Sequence, residues 1–201
     1  MRAAAPDGLS NGRGPVGLRL VTTWIWVAAA VLLFALYLSW TAGRLDRLHA
    51  RIDTARAALD AQLLRRASAA QELATSSLLD PATSLVLYQA SRAARQADAE
   101  QREVAESELS QALRAVFAEP EQLAELRAAP GGEEAVSELS AAVRRVPMAR
   151  RFHNDAVRAA RAVRIHRLVR YFRLAGKAPF PLAFEMDDEV PAALARQGAA
   201  A

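Results

Sequence analysis

Residues 20–43, LVTTWIWVAAAVLLFALYLSWTAG, carry no charged side chain. As a helix, about 24 residues rise ~36 Å, enough to cross a hydrocarbon layer ~30 Å thick with length left for tilt. Trp24 and Trp26 lie near one end, Tyr37 and Trp40 near the other. Amphipathic rings prefer the headgroup level, so these four read as membrane anchors. A cleaved signal peptide would want small residues at −3 and −1 beyond a shorter apolar core. Cleavage after Ala42 would put Trp40 at −3, so the stretch reads as an uncleaved anchor.

The chain on either side follows from that segment. Residues 1–17 mix Gly, Pro, Asn and Ser and read as a disordered tail before a transmembrane helix over 18–43. Beyond Arg44 the pattern turns amphipathic without a helix breaker: Leu45, Leu48, Ile52, Ala55, Leu59, Gln62 or Leu63, Ala70 and Leu73 recur in steps of three and four. The membrane helix is therefore expected to continue as one rod to about residue 79, where Asp80-Pro81 breaks it. A second helix is expected over 83–117 with a stripe of Val86, Ala90, Ala93, Ala97, Val104, Leu109, Leu113, Val116 and Phe117. A short helix follows over 120–128. A last helix over 133–174 carries Val136, Leu139, Val143, Val146, Phe152, Val157, Ala160, Val163, Leu168 and Phe172. Glu133 and Glu134 favour its N-terminus, and Pro147 should kink or restart it. Residues 177–201 are expected to pack in part, through Phe180 and Phe184, and then to fray. No strand-like alternation occurs, so the fold class is all-α, a membrane helix continuing into an antiparallel bundle over 44–176.

Two segments resemble the LemA family. Ala149–Val157 reads ARRFHNDAV, similar to that family's A-R-x-x-Y-N-x-x-V segment, and Leu63-Leu64-Arg65-Arg66 is similar to its L-x-R-R segment. The order of parts also agrees, down to a late Phe184-Glu185. His153 stands where the family has Tyr, and Ala160-Arg161 replaces its second Tyr-Asn. The resemblance implies an antiparallel helical bundle on a membrane anchor, in a divergent, actinobacterial-type branch, and it carries over no catalytic residues. Phe152, His153, Asn154, Arg65 and Arg66 become a candidate structural or partner site.

Several chemistries find no residues. The chain has no cysteine, hence no disulfide, thiolate site or cysteine nucleophile. His49, His153 and His166 are not paired at helix-face spacing, and no H-E-x-x-H motif occurs. Gly131-Gly132 lacks the lysine of a phosphate loop. No enzyme activity, metal or cofactor is expected. The leading expectation is a single-pass scaffold or adaptor at the cell membrane. The alternatives are a membrane-linked signalling or stress-sensing component, and a hydrolase with a dispersed site.

Charge is unevenly placed. Between Asp98 and Glu138 there are 11 acids and 3 arginines, net −8, whereas Arg144 to Lys177 holds 11 basic residues and one acid, net +10. If each long helix reverses direction, the last one leaves the membrane again. The Asp80 turn and Phe172 then meet at a distal tip, and the Phe117–Glu133 connection lies near the bilayer. That tip would gather Arg92, Arg95, Arg158, Arg161, Arg164, Arg167, Arg170 and Arg173. Either the acidic tail Glu185–Glu189 folds back and neutralises it, or it docks an acidic partner. The expected partners are the lipid bilayer and other proteins through this tip, with no specific nucleic acid and with oligomerisation possible. Arg44, Arg47, Arg51 and Arg56 outnumber Arg13 and Arg19 across the membrane segment, which favours a cytoplasmic bundle.

Overall fold

Pro15 opens the first helix, in the turn where a missing N–H costs nothing. In the computed structural model, which describes residues 15–164 and 180–195, this helix (α1, Pro15–Thr75) runs unbroken from the apolar segment into the bundle. In its apolar part, Thr22 and Thr23 donate their hydroxyls to the Arg19 carbonyl and Thr41 donates to Tyr37. These three hydroxyls are thus satisfied within the helix, as a lipid environment would require. Ser77 adopts a positive φ of 61° just past the helix end. The Asp80 carboxylate then accepts from the Ala82 and Thr83 amides and caps α2 (Pro81–Gln96), with Pro81 in the first turn.

The helix expected over 83–117 is two helices. α2 ends at Gln96, and α3 (Arg102–Val116) starts after a turn in which Asp98 Oδ1 accepts from the Glu100 and Gln101 amides at 3.1 and 2.9 Å. α4 (Pro120–Ala128) follows, and α5 (Gly132–Arg164) passes through Pro147 in one piece. Gly132 is required between α4 and α5, because a Cβ there would sit 1.8 Å from the Leu126 carbonyl oxygen. The chain from Phe180 runs extended along the bundle and ends in one turn, α6 (Ala192–Ala195). No strand occurs among the described residues.

Registers fix the topology. Arg95 donates to Gln71 at 2.6 Å, so α2 descends from the Asp80 turn beside α1. Arg102 lies 4.0 Å from Asp60, and Arg66 meets Glu106 and Ser110, so α3 climbs parallel to α1. Arg65 faces Glu138 at 3.9 Å, while Val146 packs with Leu59 and Leu63, so α5 descends toward the apolar segment. Phe117, Leu123, Leu126 and Val136 share one core with Leu73, Ala74, Leu87, Leu109 and Leu139. The Phe117–Gly132 connection therefore lies at the end far from the membrane segment, opposite to the sequence expectation. The turn at Asp98 adds one reversal, which inverts the direction of every element after it.

The same turn dissolves the distal basic tip. Arg92 and Arg95 lie on α2, with Arg95 against Gln71, whereas Arg158 and Arg161 lie on the descending end of α5. Arg167, Arg170, Arg173, Leu168 and Phe172 lie outside the described residues, as does the side chain of Arg164. The stripes shift as well. Leu59, Leu63, Ala70 and Leu73 of α1 are buried as read, but Val86, Val104 and Phe152 are exposed, with Leu87, Ala105 and His153 inside instead.

Candidate functional site

The chain after Phe180 climbs α5 in the opposite direction and forms a strap. Arg161 donates to the Pro181 carbonyl at 2.8 Å, Asn154 holds Phe184, Arg150 pairs with Asp188, and Arg144 donates to the Leu194 carbonyl. Asn154 makes the firmest contact. Its Nδ2 donates to the Phe184 carbonyl at 3.1 Å and its Oδ1 accepts the Phe184 amide at 2.9 Å. A side-chain amide can satisfy both groups of one peptide residue in this way, without a sheet. Phe184, 1 % exposed, is thereby set among Leu59, Leu63 and Val146, with the Arg56 guanidinium 5.0 Å above its ring.

The acidic part of the strap does fold back, onto different arginines from those expected. Asp187 forms a two-pronged ion pair with Arg114 of α3, and Asp188 a second with Arg150 of α5. Arg114 holds the Asp187 carboxyl below the usual carboxylate range. Amides of Glu185 and Asp187 donate to Glu103 and Ser107, so the strap bridges α3 and α5.

Under the strap lies His153, 2 % exposed. Neither ring nitrogen makes a well-formed hydrogen bond, although the Leu182 backbone lies close. Burial lowers its pKa below the ordinary value of 6.5, with nearby Arg56 acting in the same sense, against opposing contributions from Leu182 and Asp60. Burial thus favours the neutral ring.

Arg66 is the other interior polar group. It is 2 % exposed, donates to Ser110 Oγ at 2.8 Å and to the Glu106 carbonyl at 3.0 Å, and pairs with Glu106 Oε2 at 2.7 Å. Glu106 is 1 % exposed, and Arg102 stands 3.4 Å from its other oxygen. Burial lowers the Arg66 pKa, while Glu106 opposes the shift. Guanidinium stays charged across the accessible pH range, so this is a buried ion pair.

The five residues read together from sequence therefore separate. Arg66, His153 and Asn154 are interior, where no partner reaches them. Arg65 is half-exposed and pairs at long range with Glu138. Phe152 projects outward beside Met148, and with Ala55, Ala58, Gln62, Arg145 and Ala149 it lines an open furrow of about 230 Å³. Among the described residues, no three His, Asp or Glu side chains converge as a metal site would require. Trp24, Trp26, Tyr37 and Trp40 are all exposed on the apolar part of α1, Trp24 and Trp26 the most so. No known protein family, curated protein or solved structure matches this chain.

Proposed function

We propose that the chain is a single-pass membrane protein whose helical bundle acts as a non-catalytic scaffold or adaptor, holding a protein partner at a set height above the bilayer. One observation carries this reading. The apolar window of α1 buries none of itself in the bundle (0 %), while the same helix supplies Leu59, Leu63, Ala70 and Leu73 to the core. A helix that is apolar all round and uncovered by protein belongs in lipid. Because it enters the core without a joint, the bundle would be held rigidly and not tethered.

Membership of the LemA family, from the ARRFHNDAV and Leu63–Arg66 segments, and a cytoplasmic bundle, from the arginine count, complete the proposal. The absence of native cysteine makes a clean test available. The protein should stay in the membrane pellet after alkaline carbonate extraction. A single cysteine at Ala128→Cys, on the exposed end of α4, should react with an impermeant maleimide only after the cells are permeabilised. Release by carbonate would remove the anchor, and labelling in intact cells would reverse the orientation.

A further inference from the structure

We propose that the membrane-proximal end of the bundle is a second lipid-contact surface, which takes anionic phospholipid headgroups. It rests on the reading of residues 20–43 as the membrane span. Height comes first. Met148, Ala149 and Phe152 of α5 face Ala55, Ala58 and Gln62 of α1, and Val146 faces Leu59 and Leu63. Continuing this antiparallel register brings Arg158 and Arg161 level with α1 residues at about 46–49, roughly 4–9 Å beyond the end of the apolar segment. The headgroup layer occupies about 5–8 Å on each side of the hydrocarbon. Arginine heads on flexible stems reach down across the remainder.

Charge and apolar surface agree with that height. Arg44, Arg47, Arg51 and Arg158 are exposed and Arg161 is half-buried, against the acids Asp46, Asp53 and Asp155, giving +5 − 3 = +2 on this end. Asp155 pairs with Arg158 on the surface, where such a pair is weak. The strap starts at the same end. Phe180 is 54 % exposed beneath the Arg161 guanidinium, and Leu182 is 74 % exposed, more than any other large apolar side chain outside the span among the described residues. The strap's own acids pair higher up, with Arg114 and Arg150. Basic side chains beside exposed apolar ones, at headgroup height, are the chemistry of an interfacial lipid site.

The test uses the full chain in nanodiscs, with a fluorophore on a single cysteine at Leu182→Cys. In discs of neutral phosphatidylcholine, a headgroup nitroxide should quench it weakly. In discs with a third phosphatidylglycerol, quenching should rise, and it should fall again at high salt as the Debye length shortens. Each arginine near an anionic surface is worth about a fivefold change in occupancy. Replacing Arg47, Arg51 and Arg158 with Gln should therefore abolish the difference between discs, while far-UV circular dichroism shows the helices intact. Equal quenching in both discs, or a difference that survives the triple replacement, overturns the proposal. A second label at Leu33→Cys should be quenched by an acyl-chain nitroxide in both discs. Failure there sinks the membrane span, whereas success there with an unresponsive Leu182 label sinks the lipid surface alone.

Discussion

Replacing Arg66 with Met removes the cation from a pair in which both partners are almost fully buried. Breaking one side of such a pair costs about 3–5 kcal/mol, because the remaining charge is left desolvated. Arg102 stays 3.4 Å from the other Glu106 oxygen, so the loss should fall near the lower limit, about 3 kcal/mol. For a domain of this size that lowers Tm by roughly 6–12 °C. Glu106→Leu, which strands Arg66 instead, should cost at least as much, since Ser110 offers only a neutral acceptor. The double variant should be more stable than either single one, because no uncompensated charge remains and apolar side chains replace the pair. Thermal unfolding of the three variants in mild detergent, followed by circular dichroism, closes the cycle. Single variants that lose less than about 1 kcal/mol, or a double variant that loses the sum, would refute a pair that locks α3 against α1.

Further outcomes concern the strap and its histidine. Phe184→Ala should cost about 3–5 kcal/mol by emptying its place among Leu59, Leu63 and Val146. Asn154→Ala leaves the Phe184 peptide groups unpaired, at about 1–3 kcal/mol each; in both variants limited proteolysis should cut the strap before the bundle. For His153, the unfolded chain takes up a proton before the native one does. Stability should therefore fall as pH drops below about 6.5, by at most ~1.4 kcal/mol per pH unit, and His153→Phe should flatten that limb of the denaturation profile. Asp187, whose pKa is lowered by Arg114, acts in a separate window: its contribution is complete above about 3.8 and is lost as pH falls further, in wild type and His153→Phe alike.

Local features of the fold are legible in the sequence where one residue type has one explanation. The apolar stretch, the absence of a breaker up to Asp80-Pro81, and the Leu59–Leu73 stripe all dictate α1. The reversal at Asp98 is written more faintly. It has neither Gly nor Pro, and its signal is an Asp three residues before Gln101 in a polar run, the spacing of a helix cap. Missing it turns a four-legged bundle into a three-legged one and sends α5 the wrong way. The interior polar groups are legible only in three dimensions. Arg66 finds its counter-ion 40 positions away, and nothing local marks it as buried. His153 displaces Phe152 from the interior because the strap, arriving 30 residues later, covers the face that His153 and Asn154 share. One helical position turns a side chain by ~100°, so a neighbour that sequence periodicity does not register moves the stripe.

The direction of α5 is the claim on which the height of the bundle, the place of the basic end and the lipid surface all depend. Paired spin labels measure it directly in a chain with no native cysteine. Labels at Ala50→Cys and Ala162→Cys should lie within about 20 Å of each other, while Ala82→Cys and Ala162→Cys should lie about 45 Å apart, the rise of the roughly 30 α1 residues between those levels. A long first distance and a short second one would put the end of α5 at the distal tip and contradict the account.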